Sequence, residues 1–207
     1  LNRFPLRLSD LVVLEVDQDV PEKIVWSSGA EYRISDLPAV GFSGDYYHRP
    51  AFIHGQWIEF QGCVMFIDPS GKGLDETAYS IVAHLNGNLF VLEVGSFREG
   101  YTEPVLRGLA EAAKRRKVKL ILLEDQFGQG MMENLLQPYL REVYPCTIEA
   151  TRSNVQKERR IINALEPVMN QHRLIFNRSV IEDDSKAKDD DSVETALAYQ
   201  LFHQLTH

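Results

Sequence analysis

Long apolar runs are missing from this sequence: none approaches the roughly 20 residues that a membrane-crossing helix needs, so a helical span is excluded. Cysteine is scarce. Cys63 and Cys146 are the only two; they have no metal-ligand spacing and define no disulfide framework, which points to a reducing, cytoplasmic setting. The six histidines show no His-x-His or His-Glu-x-x-His pattern, so a histidine metal site has no support. A Gly-x-Ser-x-Gly elbow is absent, which sets a serine hydrolase aside. Leu1 to Asp10 carry neither a signal-peptide pattern nor an initiator Met, as expected of a fragment or a processed product.

Positive charge is also in short supply, with 22 Lys and Arg against 30 Asp and Glu for a net −8. A dedicated binder of duplex phosphate is usually basic, because phosphate neutralisation dominates affinity. Two features soften that objection. Much of the acid lies between Glu182 and Asp191, and a metal-dependent nuclease needs carboxylates that bound cations neutralise only in part.

What is present is an ordinary globular composition, 44% hydrophobic and 25% charged over 207 residues, enough for one core or one core plus an arm. Residues 1–60 read as an N-terminal extended arm or small irregular subdomain packing on the core. Leu11-Val12-Val13-Leu14 and Ile24-Val25-Trp26 are short β-type runs among turn-formers such as Pro21, Gly29, Pro38, Gly41 and Gly44.

The main fold, 61–207, opens with Cys63-Val64-Met65-Phe66-Ile67, a continuous apolar run that reads as a buried central strand ending at Asp68. Ala78 to Leu85 and Leu89 to Val94 are joined by Asn86-Gly87-Asn88, and Asn-Gly between apolar runs signals a hairpin. Thr102 then caps a helix with Val105, Leu106, Leu109, Ala112 and Ala113 inward. Leu120 to Leu123 is a buried strand ending at Glu124. Met131 to Val143 is helical, with Met132, Leu135, Leu136, Tyr139 and Leu140 on one side, and Thr147 to Ala150 is a short strand. Asn154 opens a longer helix that faces Ile161, Ile162, Leu165 and Met169 inward and that Pro167 kinks or shortens. Arg173 to Asn177 adds a short strand; a polar stretch to Asp191 follows, and Ser192 caps a last helix through Leu205. Three antiparallel strands followed by helix–strand–helix–strand–helix is the order of an RNase H-like α/β mixed sheet, antiparallel strands first and parallel strands after, flanked by helices.

Asp68 and Glu124 end the first and fourth core strands, which are neighbours in such a sheet. Two close carboxylates repel unless a cation lies between them. Mg²⁺ or Mn²⁺ suits them, being hard, oxygen-loving and able to share its shell with water and a phosphate; with two ions about 4 Å apart, one activates the attacking water and the other stabilises the leaving oxygen. Each acid taken singly is equally well explained as a turn-former at a strand end. In Asp68-Pro69-Ser70-Gly71-Lys72-Gly73-Leu74-Asp75-Glu76-Thr77 the glycines lack the Gly-x-x-x-x-Gly-Lys-[Ser/Thr] spacing of a nucleotide loop. They serve either as a plain connection or as backbone approaching a phosphate that Lys72 neutralises, with Asp75 as a supporting carboxylate; Asp125, next to Glu124, is a second. Gly128-Gln129-Gly130 precedes a helix, where anions are favoured. Arg152, Lys157, Arg159 and Arg160 form the clearest basic cluster, a DNA contact or a solvated face.

Those strings resemble a known family. Ile67 through Thr77 looks like the first acidic motif of the large terminase subunit of short-tailed podophages, or DNA maturase B. Pro5 to Leu11, Gly44 to His48, Glu124 through Gly130-Met131, and Leu165 to Asn170 are similar to the same family. The resemblance covers nearly the whole chain and corresponds to the C-terminal nuclease half of the family's architecture. It implies a Mg²⁺- or Mn²⁺-dependent endonuclease that cuts concatemeric double-stranded phage DNA during packaging in the host cytoplasm. Its partners are then an N-terminal ATPase motor domain, the small terminase subunit and the portal and procapsid. Asp68 and Glu124 fall on the family's first two metal-binding acids. The third is expected beyond His207, in a domain truncated at its C-terminus; Asp183, Asp184 and the Asp189-Asp190-Asp191 run are weak substitutes. Two rivals remain at this point: a non-catalytic RNase H-like docking module for portal or procapsid, and an actin-like nucleotide-binding domain.

Overall fold

The computed structural model describes residues 6–69, 76–124, 130–152 and 157–186, with backbone alone for 157–162. Nine strands and four α-helices occur among them: β1 (Val12–Leu14), β2 (Asp19–Val25), β3 (Phe52–Glu59), β4 (Gly62–Asp68), β5 (Thr77–Leu85), β6 (Asn88–Phe97), α1 (Glu103–Arg115), β7 (Leu120–Glu124), α2 (Met131–Val143), β8 (Thr147–Thr151), α3 (Lys157–Asn170), β9 (Leu174–Asn177) and α4 (Arg178–Lys186). No helix among the described residues is long and apolar enough to cross a membrane.

The chain divides into two compact units. One takes in the chain up to Glu59, Asn86–Phe90 and the stretch containing α3, β9 and α4; the other is Phe60–Leu85 with Val91–Val155. One border falls between Glu59 and Phe60, and the unit ending there also takes in segments from much later in the sequence.

In the first unit, the lead-in is more regular than an extended arm. β1 pairs in parallel with β9, Val12 to Ile175 through Leu14 to Asn177, and β2 pairs antiparallel with β3 around a bulge between Pro21 and Lys23. Leu8, Leu11, Val12, Tyr47 and Ile175 form its core. Trp26 stacks on His172 with ring centroids 3.6 Å apart. Pro167 does not shorten α3, which runs on to Asn170 and closes with Gln171 N donating to Pro167 O at 3.2 Å; its ring leaves residue 167 without an N–H to donate within the helix. Beyond β9 the sequence reading goes straight into a polar stretch. The structure has α4 there instead, because Val180 and Ile181 are buried and Arg178 ties Glu182 one turn on at 2.8 Å.

The second unit is a mixed sheet in the order β6-β5-β4-β7-β8. β4 is antiparallel to β5, from Gly62–His84 to Asp68–Ala78, and parallel to β7, from Val64–Leu120 to Ile67–Leu123. β7 is parallel to β8, from Leu120–Thr147 to Glu124–Thr151. β5 turns back into β6 through Asn86 and Gly87, both at positive φ (50° and 82°), the conformation that Asn-Gly predicts.

One face of this sheet is dry. Cys63, Met65, Ile67, Ile81, Ala83, Ile121 and Leu123 are buried, and α1, with Val105, Leu106, Leu109, Ala112 and Ala113 inward as expected, lies on that side. Cys63 Sγ reaches Arg116 O at the end of α1 at 3.6 Å. Thr102 occupies the N-cap position but makes no side-chain cap bond; its carbonyl accepts from Leu106 N at 3.0 Å. Glu93, on β6, accepts both Nε and Nη2 of Arg115 (2.9 and 2.7 Å), Nε of Arg116 (3.3 Å) and the Tyr79 hydroxyl (2.9 Å). The Tyr79 ring passes so close to Gly95 that a Cβ there would meet it at 2.7 Å, which accounts for a glycine within a strand. α2 keeps Met132, Leu136 and Leu140 buried, but Leu135 is 40% exposed, contrary to the periodic reading. β4 is not buried on both faces either: Phe66 is 44% exposed, so the apolar run hides an ordinary alternation.

Candidate metal and phosphate site

Side chains of a strand alternate between the two faces of a sheet. Cys63, Met65 and Ile67 face α1, so Val64, Phe66 and Asp68 face the other way. By the same count Leu120, Leu122 and Glu124 of β7 share the face of Asp68. The parallel register pairs Phe66 with Leu122 and Ile67 with Leu123, and its next step sets Asp68 beside Glu124. Each is the last residue of its strand. Adjacent strands lie about 4.8 Å apart, so the two half-buried carboxylates emerge side by side at one edge of the sheet. Phe66 and Leu122 lie one step behind them and form an apolar floor.

The carboxyl ends of parallel strands are where α/β sheets commonly place their ligands. Thr151 is in register with Glu124, its hydroxyl donates to Leu123 O at 3.3 Å, and Arg152 is the next residue, exposed at the same edge. On the far side of the acids, β6 runs in the direction of β4, because each is antiparallel to β5. Glu93, Gly95 and Phe97 meet Tyr79 or α1, so Ser96 lies on the Asp68 face. Glu76 precedes Ala78, the register partner of Asp68, by two residues and takes the same face. Ser96 Oγ donates to Glu76 Oε2, and Arg98 Nε donates to Glu76 Oε1 at 2.7 Å. The hydrogen bond from Ser96 holds the Glu76 carboxyl below its ordinary range against a smaller opposing effect of burial, and Arg98 adds to the lowering.

Of the residues the sequence singles out, the structure brings together Asp68 and Glu124 and sets Arg152 at the same edge. Asp183 and Asp184 lie on α4; the Asp183 side chain is 72% exposed and faces Lys186 at 3.9 Å. Among the described residues no three His, Cys, Asp or Glu side chains gather into a metal-holding group. Lys72, Asp75, Asp125, Gly128-Gln129 and the Asp189–Asp191 run lie outside the described residues, as do the side chains of Lys157, Arg159 and Arg160. Gly130 is described, in the left-handed region at φ 58° just before α2. Sequence reading missed Glu76, Ser96 and Arg98. Their signal is the period of two carried past both ends of the β5–β6 hairpin, which places Glu76, Ser96 and Arg98 on one face.

The donor set suits a hard divalent cation: two carboxylates on adjacent strands, one face, with oxygen ligands only. Fold and strand ends together define an RNase H-like domain. Residues 67–174 match the family model described as Terminase Bacteriophage T7, Ribonuclease H-like domain, and the chain belongs to that family. The large terminase subunit of Enterobacteria phage T3 is 35% identical over 206 residues, which are 99% of this chain and 35% of that protein; the chain thus spans about a third of the relative's length. Among solved structures, the nuclease domain of the large terminase subunit of bacterial virus Sf6 superposes with a TM-score of 0.47 at 14% identity, over 72% of this chain and 73% of that one. The human cytomegalovirus terminase nuclease domain, soaked with manganese and inhibitor-bound, gives 0.45 at 8% identity over 66% and 76%.

Proposed function

We propose that this chain is a metal-dependent endonuclease domain that hydrolyses phosphodiester bonds in double-stranded DNA. On this reading it cuts concatemeric phage genomes during packaging in the host cytoplasm, beside an ATPase motor domain, a small terminase subunit and the portal and procapsid. Membership of the T7 terminase RNase H-like family and the likeness to a phage large terminase subunit support it. The observation that carries the chemistry is the in-register placement of Asp68 and Glu124 on one sheet face.

Asp68 and Glu124 would hold Mg²⁺ or Mn²⁺, which supplies Lewis-acid stabilisation of the phosphoryl oxygens and a water more acidic than bulk water. The carboxylates fix where the scissile phosphate sits, since it must lie against the edge from which they emerge. Phe66 and Leu122 behind them displace water and lower the local dielectric, which strengthens every charge interaction in front. Arg152 meets the DNA backbone on the β8 side and adds a sequence-independent contact. The test is incubation of supercoiled plasmid with the chain in Mn²⁺ or Mg²⁺: relaxation that EDTA blocks is expected, and intact DNA in both ions overturns the reading.

A further inference from the structure

Beside β1 the chain opens a cleft that the metal-holding edge does not use. Val12 bridges His48 in parallel, and Val13 N donates to His48 O at 2.9 Å. The next rung of that ladder needs an N–H from residue 50, which is proline and has none. The chain therefore leaves β1 and joins β2, where Ala51 N donates to Val25 O at 2.9 Å. Between the parting walls lies a cleft of about 670 Å³, inside the ~300–1,000 Å³ range of ligand sites, and all its residues belong to the first unit. Leu14 and Ile34 line it together with Phe52 and Ile53, which are 57% and 41% exposed. Its charges are of two kinds. Arg178 is already held by Asp36 at 2.6 Å and Glu182 at 2.8 Å. Arg49 and Glu15 form no ion pair among the described residues, with each other or with any other group. The Arg49 guanidinium lies over the Tyr32 ring, 5.1 Å from its centroid, and donates to the Glu31 carbonyl at 3.1 Å.

We propose that the cleft docks an extended peptide segment of a partner protein, whose apolar side chain enters between Leu14 and Phe52 while an acidic residue meets Arg49 and a basic one meets Glu15. Charge complementarity selects this occupant over a purely apolar one, because two opposite charges line one apolar cleft and no described residue neutralises either. The extended walls select a strand-like segment, since an added strand continues the ladder that Pro50 ends. The inference stands apart from the nuclease reading: none of these residues belongs to the metal-holding edge.

The test titrates the isotope-labelled chain with two end-blocked pentapeptides, Asp-Val-Leu-Val-Lys and its reverse, and follows backbone amide shifts by nuclear magnetic resonance. In an extended peptide the acid, the leucine and the base share one face. Saturable shifts at Leu14, Glu15, Ala51 and Phe52 are expected with one of the two. Replacing the peptide's Asp by Asn should weaken binding about threefold in the wild type and not at all in Arg49→Gln. Replacing its Lys by Gln should do the same in the wild type and nothing in Glu15→Gln. An arginine or glutamate that only supports the fold gives no such coupling. Absence of saturable shifts with both peptides, or equal weakening in wild type and variants, overturns the inference. Movement of the same amides when the chain is concentrated without peptide also overturns it, assigning the cleft to a second copy.

Discussion

Asp68 and Glu124 end two adjacent parallel strands one step beyond the paired residues Ile67 and Leu123, and both project from the face opposite α1. Fifty-odd residues of sequence separate them, and only the β4–β7 crossover makes them neighbours. The chain leaves β4 through the β5–β6 hairpin, and α1 then carries it from β6 back to β7 on the other side of β4.

Metal binding should register as stability. A cation held by Asp68 and Glu124 binds the folded chain alone, and at about 100 times its Kd it stabilises by about 2.7 kcal/mol. For a chain of this length that is a rise in Tm of roughly 5–10 °C. Scanning calorimetry with and without Mn²⁺ should show the rise in the wild type and lose it in Glu124→Gln. An equal rise in the variant would place the ion elsewhere.

Glu93 couples the sheet to α1, and acid should uncouple it. Burial pushes its carboxyl up, but the hydrogen bonds from Arg115 and Tyr79 and the charges of Arg115 and Arg116 outweigh that and leave it below the ordinary 4.5. A carboxyl lowered in the folded state binds fewer protons there than in the unfolded chain. Its contribution is therefore complete above pH 4.5 and lost as pH falls through the lowered value. Urea unfolding of Glu93→Gln should show about 2 kcal/mol less stability than wild type at pH 7, with the gap closing towards pH 3. A gap independent of pH would contradict the assignment.

His48 should add a second, milder dependence. It is 3% exposed, its Nδ1 has no hydrogen-bond partner among the described residues, and burial, then Arg33, lowers its pKa from 6.5, with Asp10 and the Tyr46 carbonyl opposing and His172 assisting. The unfolded chain then takes up a proton at higher pH than the folded one, so stability falls as pH drops below 6.5. The urea midpoint should decline between pH 7.5 and 5.5, and His48→Gln should flatten that slope whatever it does to stability at pH 7.5.

The β5–β6 turn was legible in Asn86-Gly87 because only a few residues accept positive φ in sequence. Gly87→Ala places a Cβ at φ 82° and should cost about 1–2 kcal/mol, a fall in Tm of roughly 2–8 °C. Arg173 Nη1 donates to the Gly87 carbonyl at 2.6 Å, so the turn is held from outside and cannot relax freely.

Other parts were legible for similarly local reasons. α1 announced itself by buried residues at spacings of three and four, and Asp68 and Glu124 by their position after apolar runs. What escaped depended on partners distant in sequence. Leu11 to Leu14 read as a β-type run, but its partner is β9, some 160 residues later, and four apolar residues cannot advertise that pairing. The run from Cys63 to Ile67 concealed its alternation because Val64 and Phe66 are apolar on the less buried face. α4 looked like a polar stretch because Val180 and Ile181 are its whole buried stripe. Arg98 looked like any surface arginine until the hairpin register put Glu76 beneath it.

On the proposed function Asp68 and Glu124 act as one metal-holding unit for cutting DNA. The deciding measurement is cleavage of supercoiled plasmid in Mn²⁺ by the wild type, Asp68→Asn, Glu124→Gln and the double variant. Each single change should lower the rate at least about 100-fold, since Lewis-acid stabilisation is worth several kcal/mol and about 1.4 kcal/mol is tenfold, and the double change should cost little more than either alone. Wild-type cutting by either single variant, with its fold intact by circular dichroism, would contradict it.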